Sequence, residues 1–273
     1  MRAKLGLGLE DGTGSAGAAS TYLDSVLDSV VFELDATQTD SYPGSGSSWL
    51  NLIASPADGE TQATYDFPFS GTPVFNGTPG DTGAYWGITT GNRFQLSSNT
   101  TFTGNLHKVA SVGPFWIAAT FYAIDATWGG GVIVSTKNST GNGLGVTAYL
   151  LGSRSLSYNQ SSGAAGTGFN SGFGSLAAPG EELVIMSFDP ANEVATYWIN
   201  STTGTGVAFV YTVTTNAAEG AFTIGELTTS GTPLVSSDWR LRTVACGNEY
   251  LDDTKVASLV SNWEARHGRD YTP

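Results

Sequence analysis

Apolar residues in this chain gather in short runs, broken every few positions by Gly, Pro, Asn or Asp. This is the rhythm of strands and turns. The clearest stretch is Glu182–Asn200, ELVIMSFDPANEVATYWIN. Its two arms, Leu183–Phe188 and Val194–Ile199, are rich in β-branched, aromatic and long apolar residues, which suit a pleated and packed surface. Between them, Asp189 and Pro190 occupy the first two positions of a type I turn, where Pro presets φ near −65°. A helix is disfavoured, because Pro190 would remove a backbone donor and clash with the preceding turn. The first arm is apolar on both faces except at Ser187, which predicts a strand buried between two layers. A central hairpin of an all-β sandwich follows.

The remaining pattern extends this reading. Leu23, Val26, Leu27 and Val30 fall at helical spacing, with Ser20 or Thr21 as N-cap, and predict a helix over Ser20–Val30. Val31–Asp35 reads as the first strand. Pro43-Gly44 forces a turn that should bring Trp49 and Leu52 back over it. Thr64–Phe69, Val74–Phe75, Ala84–Ile88 and Arg93–Leu96 read as edge strands, since Pro68 and Pro73 do not fit a central ladder. Phe115–Ile124, the longest apolar run, predicts a second central strand. Val132–Ser135 is another strand, and Gly143–Leu151 with Arg154–Tyr158 forms a further hairpin. Ser161–Gly174 reads as a long glycine-rich loop with two aromatics. Gly206–Val213, Ala221–Glu226 and a pair around Trp239–Asn248 complete the strands. Asp252 or Asp253 can cap a terminal helix reaching Arg266, with Val256, Leu259, Val260 and Trp263 on one face.

The first twenty residues break the pattern. Leu5, Leu7 and Leu9 alternate with Gly6 and Gly8 and lead into GTGSAGAAS. Such a segment buries too little apolar surface to offset backbone ordering of roughly 1–2 kcal/mol per residue. It is expected to be a tail in an isolated monomer. A neighbouring subunit that received Leu5, Leu7 and Leu9 as strand-like pegs would order it, as would folding back onto its own domain. The domain division is therefore a 1–20 arm and a 21–273 sandwich.

Composition narrows the function classes. A chain of 273 residues buries roughly three-quarters of its unfolded surface, enough for a core without staples. Cys246 is the only cysteine, so no intramolecular disulfide and no cysteine-based metal cluster can form. With only His107 and His267, a histidine-rich zinc site is disfavoured. A net charge of −13 argues against nucleic acid and against an anionic membrane surface as partners. No apolar run approaches the ~20 residues of a membrane span. The N-terminus lacks the continuous apolar core of a secretory signal.

The order of elements resembles the concanavalin A-like, laminin-G-like jelly roll found in phage and bacterial surface proteins. The residues that carry the resemblance are FELDA (Phe32–Ala36), SYPGSGSSW (Ser41–Trp49), FWIAATF (Phe115–Phe121) and VIVSTKNSTGNGLGV (Val132–Val146). The ELVIMSFD…YWIN hairpin, FTIGEL (Phe222–Leu227) and LDDTKVASLVSNW (Leu251–Trp263) continue it, so it spans roughly Val30 to Trp263. It implies a two-sheet antiparallel sandwich with an extended N-terminal arm and a short C-terminal helix. The SYPGSGSSW segment and the LGLGL arm look particularly like phage virion proteins. That likeness implies a non-enzymatic capsid-decoration or tail-associated protein on the virion. Its partners would be other virion proteins and copies of itself.

Candidate chemistry is sparse. Endo-β-glucanases of the same fold carry Glu-x-Asp-x-x-Glu on one strand, where period-two alternation puts the first Glu and the Asp on one face. Here Glu33-Leu34-Asp35-Ala36-Thr37-Gln38 departs at the last position, and Gln38 cannot transfer a proton as an acid/base must. A hydrolase is disfavoured. Neither histidine neighbours a G-x-S-x-G nucleophile pattern, and both read as surface or capping residues. Cys246, within TVAC, reads as a small core residue. No D-x-D-x-D loop suggests calcium, although Asp125 and Asp189 stand alone as candidates. No cofactor is implied. For host-surface glycans, the best candidates are Trp86 and Trp128, both beside glycines, with amide hydrogen bonds from Asn138 and Asn142. The competing reading has both tryptophans closing the rim of the core.

Overall fold

A computed structural model of the chain describes residues 22–108, 113–123, 130–138, 143–151, 155–161, 169–176, 180–209, 216–226 and 239–273. The arm residues Leu5, Leu7 and Leu9, together with Trp128, Asn142 and Asp125, lie outside the described residues. In chain order the strands begin with β1 (Val30–Asp35), β2 (Ser48–Trp49), β3 (Phe67–Ser70), β4 (Val74–Asn76), β5 (Tyr85–Ile88) and β6 (Arg93–Gln95). A short helix α1 (Thr101–Asn105) precedes β7 (Phe115–Ala123), β8 (Gly130–Ser135), β9 (Gly145–Leu151), β10 (Ser155–Ser161) and β11 (Phe169–Ser175). Then come β12 (Gly180–Asp189), β13 (Val194–Ile199), β14 (Thr205–Ala208), β15 (Thr223–Gly225), β16 (Trp239–Gly247) and helix α2 (Asp253–His267).

These strands form two antiparallel sheets. The first runs β14-β13-β12-β7-β16-β5-β4, with β1 also paired to β16, and the second runs β11-β10-β9-β8-β15-β6-β3-β2. The two-sheet sandwich expected from the sequence is what the structure shows. Between the sheets lies one continuous core, to which β7 gives Phe115, Ile117, Ala119 and Phe121, and β12 gives Val184, Met186 and Phe188. The alternate residues Trp116, Ala118, Leu183 and Ile185 face the other way, into a second core covered by α2. Strands buried on both faces read as continuous apolar runs, which is why β7 and β12 were the plainest signals in the sequence.

The central hairpin closes as predicted. Its ladder runs from Val184↔Ile199 to Asp189↔Val194, and Asp189 Oδ1 accepts the N–H groups of Ala191 and Asn192, each at 3.2 Å. The terminal helix is also as read. Asp252 caps it by accepting the Lys255 N–H at 2.9 Å, and Val256, Leu259, Val260 and Trp263 are buried.

Four expectations are corrected. The Ser20–Val30 helix is only a 3-10 turn at Leu23–Ser25. Leu23 and Leu27 do pack inward, but Val26 is 42% exposed and Val30 is already in the β1 ladder opposite Gly247. The segments β3, β5 and β6 are interior rather than edge strands; Pro68 is tolerated because pairing with β6 begins only at Phe69. The supposed loop Ser161–Gly174 ends in a strand, β11, which pairs with β10 and sends Phe173 into the core. Gly174 is required there: φ is +145°, and a Cβ would meet the Tyr197 ring at 3.0 Å. The pair around Trp239–Asn248 is one nine-residue strand, β16, flanked on both sides.

Candidate functional site

The outer face of the first sheet changes character along its length. At one end Trp116, Ala118, Leu183 and Ile185 are sealed beneath α2. In the middle the same strands present Thr120, Thr243, Glu181 and Arg242. At the far end β7 reaches Tyr122 and β16 reaches Arg240, no longer covered by the helix.

A polar network fills the middle. Glu33 and Asp35 share one face of β1, as the alternation required, and both are completely buried. Glu33 accepts the Trp263 indole N–H at 2.7 Å and the Leu23 N–H at 2.9 Å, and it pairs with Arg266. Asp35 Oδ1 accepts the Thr37 N–H at 2.8 Å and its hydroxyl at 2.7 Å. Asp35 Oδ2 lies 3.1 Å from Arg266 Nε and 3.0 Å from His267 Nε2. His267 Nδ1 meets the Tyr271 hydroxyl at 2.8 Å. Burial pushes the Asp35 carboxyl upward, but attraction to His267 and Arg266 and the donated hydrogen bonds outweigh it and hold the group well below the usual carboxylate range. Burial, as the largest influence, pushes the Tyr271 hydroxyl up, so it keeps its proton.

The network ends at an open cleft of about 200 Å³ lined by Tyr85, Tyr122, Glu181, Arg240, Arg242 and Arg269. A bulge in β16 builds it. The register with β7 slips between Leu241↔Phe121 and Thr243↔Thr120, so Arg242 is the extra residue. It sits where the other neighbour of β16 changes from β1 to β5. The slip puts Arg242 on the outer face beside Thr243, while Leu241 stays in the core. Arg242 pairs with Glu181 and donates to the Thr82 carbonyl at 2.7 Å. Arg269, from the tail after α2, meets the other Glu181 oxygen at 2.6 Å. Arg240 is held differently. Its guanidinium lies 5.1 Å from the centre of the Tyr85 ring and 5.4 Å from that of Tyr122, within cation–π range.

The two described glycan candidates, Trp86 and Asn138, do not line this cleft. Trp86 is 1% exposed and enclosed by aromatic rings, with Tyr42 at 4.7 Å and Phe69, Phe75 and Phe94 each at 5.0 Å. It closes the core and offers no face to a sugar. Asn138 is half-buried and donates to the Glu219 carbonyl at 2.9 Å, tying two loops together. Both histidines are buried rather than on the surface: His267 in the network above, and His107 with Nε2 at 3.0 Å from the Asn216 carbonyl. Cys246 is a core residue. No group of three or more potential metal ligands occurs among the described residues. The Arg240 cleft went unread because WRLRT looks like any polar–apolar alternation. Its only hint was a concentration of arginine, at 240 and 242, in an acidic chain.

No family model and no curated protein matches the chain. Among solved structures it is similar to the Trypanosoma rangeli sialidase in complex with 2,3-difluoro-KDN, at 13% identity and a TM-score of 0.55 over 88% of this chain and 33% of that one. It is also similar to the binding domain of botulinum neurotoxin DC in complex with rat synaptotagmin II, at 12% identity and a TM-score of 0.59 over 88% and 52% of the two chains. A third is botulinum neurotoxin type C, which interacts with two ganglioside molecules, at 10% identity and a TM-score of 0.59 over 90% and 53%. The chain thus spans a third to a half of these structures. At such identities the likeness is one of fold: a two-sheet β-sandwich.

Proposed function

We propose that this chain is a non-enzymatic recognition module that binds carbohydrate on the open surface of its sandwich. The observation that carries this reading is the fate of its carboxylates. Most glycoside hydrolases work with two carboxyl groups flanking the scissile bond. Glu33 and Asp35, the pair that shares a strand face, are buried and engaged by Trp263, Arg266 and His267. Glu181, in the open cleft, is held by two arginines. What the cleft offers instead is tyrosine rings and fixed donors, the equipment of a binding surface. The ganglioside contacts of a neurotoxin with a similar sandwich support the same reading. A glycan array probed with the labelled full-length chain should give specific, saturable hits. An array without any would overturn the reading.

A second reading concerns where the module works. The SYPGSGSSW segment and the LGLGL arm resemble phage virion proteins, and on that resemblance we propose that the sandwich rides on a phage particle, tied to its neighbours by residues 1–20. On this reading the glycan partner is a host-surface saccharide. The arm truncation taken up in the Discussion tests it.

A further inference from the structure

Three of the chain's eleven basic residues converge on the cleft at the open end of the first sheet. They face one carboxylate there, in a protein whose net charge is −13. Two of the three are committed, since Arg242 and Arg269 share Glu181. Arg240 is not: it makes no ion pair within 4 Å among the described residues, and its contacts are the faces of Tyr85 and Tyr122. Arg242 lines the same opening, 4% exposed and engaged by Glu181 and the Thr82 carbonyl. A guanidinium with no ion pair among the described residues, held against two tyrosine rings at an opening, forms an anion site whose cost of ordering the side chain has largely been met in the folded protein.

The chemistry of the anion can be narrowed. Because Arg242 and Arg269 are both engaged by Glu181, only one guanidinium, that of Arg240, has no ion pair among the described residues, which matches one carboxylate-sized anion. A guanidinium fixed by stacking presents its planar fork to a carboxylate in bidentate geometry. Tyr122, 36% exposed, gives an aromatic edge and face to the C–H side of a sugar ring. The opening has room for a single ring rather than a chain.

We infer that the cleft binds one pyranose carrying a carboxylate, with Arg240 pairing to the carboxylate and Tyr122 packing on the ring. The inference rests on the carbohydrate-recognition reading and names the sugar class and residues behind it. Overall acidity does not forbid this, because charges beyond about 8 Å are screened at physiological salt and the local arginines dominate.

The experiment is a calorimetric titration of the full chain with four kinds of probe: a glucuronate-terminated oligosaccharide, its methyl ester, an N-acetylneuraminate-terminated oligosaccharide and the neutral parents of the two acids. At least one free acid should bind, and the ester and the neutral parents at least tenfold more weakly. The two acids tell a uronate source from a nonulosonate one. Arg240→Gln should weaken binding at least tenfold. Arg240→Lys, which keeps the charge but loses the fork and the stacking, should recover only part of it. Thermal melts of both variants check that the fold is retained. Equal binding of acid and ester overturns the inference, as does unchanged affinity in folded Arg240→Gln. So does binding abolished only by Tyr197→Ala, in the uncharged hollow of about 370 Å³ that Tyr197 shares with Asn200 and Thr205; in that case carbohydrate recognition itself survives. Failure of all four kinds of probe, with hits to other sugars on the array, also overturns the inference alone. A blank array removes both.

Discussion

Asp35 shows how a carboxylate can stand in a catalytic-looking pattern and serve structure alone. Alternation along β1 puts it on the face of Glu33, where a catalytic carboxylate would stand, but that face is roofed by α2, and the carboxylate serves as an anchor for His267 and Arg266. Its pKa is held low in the folded state, so it binds its proton less readily there than in the unfolded chain. The stabilisation this gives is complete above the unfolded value of about 3.9 and is lost progressively as pH falls below it. Urea midpoints of the wild type and Asp35→Asn should therefore differ most at neutral pH, with the wild type more stable. The gap should narrow between about pH 4 and pH 2. A constant gap across that range would contradict the ion-pair account. Arg266→Ala, which strands two buried carboxylates, should cost about 3–5 kcal/mol. Trp86 teaches the converse lesson, since a tryptophan beside a glycine reads as exposed until five neighbouring rings are seen around it.

At the scale of elements, α2 is what divides the outer face of the first sheet into a sealed part and an open part. Its sequence carried every instruction needed for a helix: a capping aspartate, an apolar stripe and a C-terminal glycine, Gly268, at φ +62°. Asp252→Ala should lower stability by about 1 kcal/mol through loss of the cap. Trp263→Ala should lower it by about 3–5 kcal/mol, because the ring is fully buried and its N–H satisfies Glu33. Equilibrium unfolding of the two variants should rank them in that order. The bulge at Arg242 is the opposite kind of element. Nothing local in WRLRTVACG announces it, because an extra residue in a ladder is defined only against the partner strand. Yet it sets Arg242 and Thr243 side by side on the outer face, and Arg240 at the edge of the cleft, with Leu241 kept in the core.

At the scale of the whole molecule, both hydrophobic cores are built from described residues beginning at Leu23. A chain lacking residues 1–20 is expected to melt within a few degrees of the full-length protein and keep its circular dichroism, because the Gly/Ala/Ser-rich arm has little apolar surface to bury. If the arm joins the module to a particle, the same truncation should fail to incorporate into phage assembled in its presence, and normal incorporation would remove the virion reading. The architecture was largely written in local signals. Runs apolar on both faces, Asp-Pro and Pro-Gly turns and a capped amphipathic helix act over a few residues, so the sequence by itself determined an all-β sandwich with its central hairpin and terminal helix. The strand neighbours of β3, β5 and β6, the recruitment of β11 from a glycine-rich stretch and the burial of both histidines depend on partners far away in the chain. The same holds for the cleft: Tyr85, Tyr122, Glu181, Arg240 and Arg269 come from four strands and a tail. Only sheet register and the position of α2 bring them together, because contacts between distant segments follow from packing and leave no local periodicity to read.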